Sequence, residues 1–265
     1  MRLGSKIGVI GIGVVGGAIA SSYDQMAIQW TIRYDIDPNK CVGTWDDMMK
    51  CAGIFVCVPS PFGENGKCDT SILESVLLKL KGYAGVIISK VTAPPDVYTE
   101  LGKQYPNLVY VPEFLTDANA MQDYQLSKFM IIGGSIQAYQ YEASRIIRLT
   151  LLTELEVHFS TLEEAALVKY SINTFLATKV VIMNELKMLA DSLQIDFRTV
   201  AQLMKLDSRI GRSHCQVPGP DGSYGFGGAC FPKDTAALLK IAEDQEVELS
   251  VLSAAAKKNT FLRLK

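Results

Sequence analysis

Ten consecutive residues carry the densest chemistry in the chain: Gly225-Phe226-Gly227-Gly228-Ala229-Cys230-Phe231-Pro232-Lys233-Asp234. The glycines let backbone come close to a ligand, and the stretch runs into a predicted helix that starts near Asp234. A cysteine just ahead of a helix N-terminus has its thiolate stabilised, which is what a covalent nucleophile requires. The bland reading of any free cysteine is a buried, inert thiol. That reading is kept for Cys41, Cys51 and Cys57, while Cys68 and Cys215 read as loop thiols. His158 and His214 offer no metal or triad arrangement.

A second constellation lies at the other end of the chain. Gly11-Ile12-Gly13-Val14-Val15-Gly16 is a GxGxxG directly after an apolar run and ahead of a helix-like segment. The first glycine permits a tight turn, the second admits a pyrophosphate and the third lets helix and strand pack closely. The helix start offers unpaired amides to phosphate. The next β-rich run ends at Tyr34-Asp35, 19 residues past Gly16, where a carboxylate should accept from the adenosine ribose hydroxyl. Asp35 would repel a 2′-phosphate, so NAD is expected over NADP, with nearby Arg33 as the contrary signal. The alternative for Asp35 is a loop acid capping a turn with Pro38-Asn39.

Between these lie Lys169 and Asn173, spaced i and i+4 and so on one face of a helix. Their stripe continues through Leu176 and Val180, and polar groups in an apolar stripe are costly unless partnered or working on a ligand. Helix rotation into solvent is the alternative. Glu113 after Pro112 is a further candidate or simply a strand-end acid, and Thr92 either serves the site or caps a turn before Pro94-Pro95.

The elements that must hold these residues follow from apolar periodicity. Predicted strands cover 6–10, 30–34, 54–58, 85–89, 108–111 and 129–132, with helices near 16–24 and 71–80. Short apolar strands alternating with helices indicate βαβ units and a doubly wound, Rossmann-type parallel sheet. After about residue 160 the texture becomes helical. Ser160-Thr161 with Glu163 and Glu164 reads as a capping box. The run 162–193 lacks Pro and Gly and predicts one long helix, followed by helix at 197–205 and from 234 onward. The expected domains are 1–158, dinucleotide-binding, and 159–265, helical and carrying Cys230.

The chain has 265 residues, 48% hydrophobic and 20% charged, with 26 Lys and Arg against 28 Asp and Glu. This is an ordinary globular composition, and a net charge of −2 lacks the cationic footprint that nucleic-acid binding needs. The six cysteines form no CxxC pair, and a chain of this length builds its own core, so reduced thiols in a cytoplasm are expected. Residues 1–21 mimic a secretory signal, but the five glycines between Gly8 and Gly17 oppose that reading. No uninterrupted apolar stretch reaches ~20 residues, so no membrane span is expected.

Taken in order, these pieces resemble the UDP-glucose/GDP-mannose dehydrogenase family. The resemblance is carried by Gly8–Gly16, Val58-Pro-Ser-Pro61 with Asn65-Gly66-Lys67, Lys90-Val-Thr92-Ala-Pro-Pro95 and Pro112-Glu113-Phe114-Leu115. It continues through Leu167-Val-Lys169-Tyr-Ser-Ile-Asn173, Ser208-Arg-Ile-Gly211 and the Cys230 decapeptide. It implies NAD-dependent, four-electron oxidation of a nucleotide sugar, UDP-glucose first, at C6 to the acid through a Cys230 thiohemiacetal and thioester. It implies that Lys169 and Asn173 steady an oxyanion while Asp234, Thr92 and Glu113 position or activate water. Cofactor contacts would fall to Gly11, Gly13, Val14, Val15, Gly16, Asp35, Pro59 and Thr92. Substrate contacts would fall to Glu113, Phe114, Leu115, Lys169, Asn173, Tyr224, Phe226 and Gly227. The resemblance also implies a homodimer through the long helix.

The chain departs from the family pattern at Asp117, where a second glutamate is frequent, and at Val14, where tyrosine is frequent. Its length leaves room for two of the family's three domains, so the α/β unit that closes over the nucleotide is expected to be missing. Two other readings are a two-electron dehydrogenase of the 6-phosphogluconate and hydroxyacid group, and an idle dinucleotide-binding partner. The first has no need of Cys230, and the second has no need of the whole catalytic set.

Overall fold

A computed structural model describes residues 6–26, 31–115 and 119–264. They fall into two compact units, Met1–Pro61 with Asp69–Lys169, and Phe62–Cys68 with Tyr170–Lys265.

Among the described residues, the first unit is built on a seven-stranded sheet. Its strands are β1 (Ile7–Ile10), β2 (Thr31–Tyr34), β3 (Gly53–Val56), β4 (Val86–Ser89), β5 (Leu108–Tyr110), β6 (Phe129–Gly134) and β7 (Glu156–Ser160), in the spatial order β2-β1-β3-β4-β5-β6-β7. β1 pairs parallel with both β2 and β3, Ile7 standing opposite Thr31 and Gly53. The parallel run continues through β4 and β5. The helices of this unit are α1 (Val14–Gln25), α2 (Trp45–Met48), α3 (Ser71–Lys79), α4 (Pro95–Gln104), α5 (Ala120–Gln125) and α6 (Gln137–Arg148).

Alternate strand residues enter two different cores, as a pleat of period two requires. Ile54, Val56, Ile87, Leu108 and Tyr110 pack with Leu73, Leu77, Tyr98 and Leu101 of α3 and α4. Phe55, Val86, Ile88 and Val109 pack with Ile19, Tyr23, Ala143 and Ile146 of α1 and α6. Both faces are covered, which is why these strands read as continuous apolar runs rather than alternating ones. Burying each such side chain contributes about 1.5–3 kcal/mol of transfer free energy.

The doubly wound sheet is as expected, with two differences. β6 runs antiparallel to β5, Val109 facing Gly134 and Tyr110 facing Gly133. β7, parallel to β6 at the sheet edge, has no counterpart among the predicted strands. Its residues are half-exposed or exposed, and the charge of Glu156 and the imidazole of His158 hide its alternation. Trp30 and Asp117, both used in the sequence reading, lie outside the described residues.

α7 (Leu162–Ser192) is the predicted long helix. Its capping box is present: the Thr161 amide donates to Glu164 Oε2 at 2.9 Å and the Glu164 amide to Thr161 Oγ1 at 3.3 Å. By length and composition α7 is apolar enough to cross a membrane. Yet Ala165, Ala166, Tyr170 and Ala177 are fully buried within the protein, and it carries Lys169, Lys179 and Glu185. Residues 162–169 belong to the first unit and the remainder to the second. There they are joined by α8 (Phe197–Met204), α9 (Phe231–Asp244) and α10 (Ser250–Leu262). The core of this unit is formed by Ala177, Val181, Phe226, Ala255 and Leu262, and by Met183, Ala190, Phe197, Ala201 and Cys215.

Candidate functional site

In the first unit the chemistry gathers beyond the carboxyl ends of the parallel strands, where open α/β sheets bind ligands. Gly11 follows β1 with φ +86°, a left-handed conformation that favours glycine. Its amide donates to Tyr34 O at 2.8 Å. A Cβ at Gly16 would collide with the Gly11 carbonyl oxygen, whereas one at Gly13 would meet nothing within 4 Å. The turn is therefore closed where helix meets strand and open toward solvent at Gly13. Gly13 is the N-cap of α1 with no side-chain cap, and Val14 is exposed and Val15 half-buried beside it. The first amides of a helix have no partners within it, and here none of the described side chains caps them.

Asp35 follows β2. Its Oδ2 accepts from the Ile12 amide at 2.6 Å and its Oδ1 from the Asp37 amide at 3.0 Å. The Asp37 amide above all, against the opposing effect of burial and with help from the Ile12 amide and the Lys40 ammonium, holds this carboxyl below the usual aspartate range. The turn at Pro38-Asn39 is capped by Asp37, whose Oδ1 accepts from the Asn39 amide at 3.0 Å, so Asp35 is not its cap. Arg33 is committed to Asp24 and Thr31, away from any role as a 2′-phosphate partner. An open glycine at the helix start and a carboxylate tied to the turn are what a pyrophosphate and a ribose diol need, so the residues fit NAD.

Pro59 is exposed after β3, and Thr92 is half-buried between β4 and α4. The N-cap of α4 is Pro94, with no side-chain cap, so Thr92 does not cap that helix. Glu113 follows β5 and is held at three points. Lys90 Nζ lies 2.8 Å from Oε2, both side chains being largely buried. The Phe114 amide donates to Oε1 at 2.8 Å, and Lys169 Nζ donates to the Glu113 backbone oxygen. The same ammonium lies 5.0 Å from the centre of the Phe114 ring, and Phe114 packs against Phe129. Lys169 is thus buried, not turned to solvent. Glu113, Phe114 and half-buried Leu115 line a cavity of about 560 Å³ together with Lys90, Asp123 and Tyr124.

In the second unit Asn173 Nδ2 donates to Asp234 Oδ2 at 2.5 Å, and Lys233 Nζ donates to Oδ1 at 2.7 Å. Asp234 is 1% exposed. α9 begins at Phe231, three residues earlier than predicted, which makes Cys230 its N-cap residue. The Cys230 carbonyl accepts the Asp234 amide at 2.8 Å, and the residue is exposed. Phe226 is buried, Tyr224 and Gly227 are half-buried, and Phe226 with Gly227, Gly228, His214, Arg212 and Phe231 lines a cavity of about 540 Å³.

Of the remaining thiols, Cys51 is buried as expected, whereas Cys41 and Cys57 are half-buried. Cys68 and Cys215 lie in loops, as read, but are buried there, Cys68 packing on Tyr170 and Ala237 and Cys215 on the core beneath α8. Their apolar neighbours are distant in sequence, so the local composition gave no sign of them. Sequence reasoning also passed over Lys90 and Lys233 as site residues, although both stand inside motifs that it quoted.

A Rossmann-type sheet with an NAD-fitting turn, joined in sequence to a helical unit with a cysteine at a helix start, is the layout of a two-domain NAD-binding class of α/β proteins. Two family models match: the NAD binding domain of the UDP-glucose/GDP-mannose dehydrogenase family over residues 42–149 and its central domain over residues 163–260. The chain belongs to the UDP-glucose/GDP-mannose dehydrogenase family, and its cofactor is NAD.

Among curated relatives, a putative UDP-glucose 6-dehydrogenase, YtcA of Bacillus subtilis, is 32% identical over 222 residues, covering 78% of this chain and 50% of that protein. The UDP-glucose 6-dehydrogenase TuaD of the same organism is 30% identical, covering 80% and 47%. A UDP-glucose dehydrogenase structure from Pyrobaculum islandicum shares the fold at TM-score 0.81 and 23% identity, over 97% of this chain and 68% of that one. A UDP-D-ManNAc dehydrogenase from Pyrococcus horikoshii does so at TM-score 0.81 and 19% identity, over 97% and 68%. The chain spans about half the length of the curated relatives it matches.

Proposed function

We propose that the protein oxidises a nucleotide sugar, UDP-glucose first, at C6 to the uronic acid in two successive two-electron steps. The observation that carries this reading is Cys230, exposed as the N-cap residue of α9, whose first turn holds the buried Lys233 and Asp234 with Asn173 bonded to the latter. The Gly11–Gly16 turn and Asp35 would hold NAD, which would supply the hydride acceptor for each step.

After the first oxidation the substrate is an aldehyde. The Cys230 thiolate, favoured at a helix start, adds to its carbonyl carbon and forms an S–C bond. Loss of the C6 hydride and of the hydroxyl proton from the thiohemiacetal leaves a thioester on Cys230. Water then adds to the thioester carbon, the C–S bond breaks, and the acid departs with the thiolate restored. A thiol suits both halves, because it adds reversibly to aldehydes and leaves readily from a thioester. Lys169 and Asn173 steady the oxyanion that develops at each addition, and Glu113, Thr92 and Asp234 order or activate the water. Phe114, Leu115, Tyr224, Phe226 and Gly227 supply contacts for the substrate.

The chain acts as a homodimer in the cytoplasm. α7 exposes Phe175, Ile182 and Leu189 at seven-residue intervals, an apolar stripe of the kind a second copy covers. Sedimentation should give twice the chain mass, and Phe175→Asp should return the monomer.

The test of the chemistry is stoichiometric. Two NADH per acid from NAD and UDP-glucose supports the thioester route. One NADH, with an aldehyde product, points to a simple two-electron dehydrogenase. Cys230→Ser should release no acid, and full turnover by that variant overturns the mechanism.

A further inference from the structure

The loop that delivers Cys230 is held from behind by side chains that neither its motif nor the proposed chemistry uses. Asn259 of α10 grips Phe226 twice: its Oδ1 accepts from the Phe226 amide at 2.7 Å, and its Nδ2 donates to the Phe226 carbonyl at 3.0 Å. A side-chain amide thus stands where a neighbouring strand would stand in a sheet. Asn259 is buried, and so is Asn184 of α7, whose Oδ1 accepts from the Gly225 amide at 3.0 Å. Asn184 is itself fixed by its Nδ2 on Val180 O at 2.8 Å. Arg263, just past α10, donates to Asp221 Oδ2 at 2.7 Å. Its guanidinium lies flush on the loop, since a Cβ at Gly227 would come within 2.8 Å of Nη2.

The approach is close enough to dictate residue type. Gly225 has φ +72°, and a Cβ there would collide with Asn259 Oδ1. The clamp also reaches the far side of the thiol, because the Phe226 ring packs edge-on against Phe231 at 6.3 Å. Cys230 is therefore bracketed by two residues in contact, one of them fastened by both of its backbone groups.

We propose that Asn259 is a positioning residue for Cys230, acting through Phe226, with Asn184 and Arg263 completing the clamp. Three backbone hydrogen bonds to two buried side-chain amides fix the loop without any contact to substrate. The thiol is then presented at the start of α9 before a ligand arrives, so that no binding energy is needed to order it. The inference rests on the reading of Cys230 as the reacting group, but the claim about its presentation is separable.

The test is the rate of alkylation of Cys230 by iodoacetamide in the full chain at pH 7.5, followed by mass spectrometry of its peptide. No sugar substrate is required. Three variants serve. Asn259→Leu removes both bonds, Asn259→Asp keeps the acceptor for the Phe226 amide but turns a carboxylate oxygen on its carbonyl, and Arg263→Met strips the guanidinium from Gly227. In each variant that retains the wild-type circular dichroism, alkylation should slow at least five-fold toward the rate of a free peptide spanning 225–235. Its pH profile should move to higher pH in step, and kcat should fall more than KM rises. Arg263 is surface-accessible, so its variant retains the fold even where a change at Asn259 does not. A folded variant that alkylates within two-fold of wild type with an unmoved pH profile overturns the proposal. If Cys230→Ser instead keeps full turnover, the nucleophile reading fails while the alkylation result still decides whether the clamp presents the thiol.

Discussion

Asn173 of α7 and Asp234 of α9, 61 residues apart in sequence, share a hydrogen bond of 2.5 Å inside the second unit, and Lys233 occupies the other carboxylate oxygen at 2.7 Å. Asp234 therefore orients a carboxamide and neutralises an ammonium at once. Breaking a buried pair from one side costs about 3–5 kcal/mol, because the remaining charge keeps its desolvation penalty. Asp234→Asn should lower the unfolding free energy by about 3 kcal/mol in urea, with Lys233→Met recovering most of it in the same background. A loss below about 1 kcal/mol would show that water already shields the pair.

The glycine turn separates folding from ligand binding. A methyl at Gly13 meets nothing, so Gly13→Ala should leave the urea midpoint unchanged while weakening NAD at least tenfold, about 1.4 kcal/mol by calorimetry. Gly16→Ala drives a methyl into the Gly11 carbonyl and should cost both stability and NAD. Gly17 lies inside α1 with open space around it. Gly17→Ala should add about 0.5–1 kcal/mol of stability through helix propensity. Loss of NAD affinity in this last variant would contradict the geometry.

Asp35 sets an acid limit. Its carboxyl is depressed chiefly by the Asp37 amide, so its folded pKa lies below its unfolded one. The stabilisation it supplies is then complete above the unfolded value of about 3.9 and fades as pH falls through the folded one. NAD affinity should accordingly stay flat from pH 8 to 5 and fall only in stronger acid. Asp35→Asn should weaken NAD across that whole range and narrow the preference over NADP. A midpoint for wild-type NAD binding near pH 6 would assign the titration to another group.

What the sequence made legible was chemistry encoded within a few residues. The turn at Gly11–Gly16, the spacing to Asp35 and the Thr161–Glu164 box are local, and the backbone responds to them directly. The parallel core of the sheet was legible for a related reason: strands covered on both faces are apolar throughout. β7 escaped because it is an edge strand with a charge and an imidazole among its five residues. Lys90, Asn184 and Asn259 escaped because each gains its meaning from a partner reached only by folding. Glu113 lies 23 residues from Lys90, and Phe226 lies 33 from Asn259. A buried asparagine or lysine is invisible to periodicity until its partner is known.

The thiols should sort by burial. Desolvation pushes Cys51 up to about 11 and Cys57 up to about 12, which leaves almost no thiolate in either at neutral pH. Limited iodoacetamide at pH 7.5 should therefore modify Cys230 before Cys51 or Cys57, and peptide mass spectrometry gives the order. Early labelling of Cys57 would mean that the β3 end opens in solution.

The Lys90–Glu113 pair offers the sharpest separation of scaffold from chemistry in the first unit. Lys90→Met leaves the Glu113 carboxylate with the Phe114 amide but without its 2.8 Å ammonium, at an expected cost of about 3 kcal/mol. Glu113→Gln in that background removes the stranded charge, so stability should return while turnover stays low. The cycle between the two positions should show a coupling above about 1 kcal/mol, since the groups are in contact. Lys90→Arg keeps the charge on a bulkier head group and should retain most of the stability with a lower kcat, because the carboxylate is displaced rather than released. If Lys90→Met is instead neutral in both stability and turnover, Glu113 is held well enough by Phe114 and Lys169 alone, and the buried lysine has no part in aiming it.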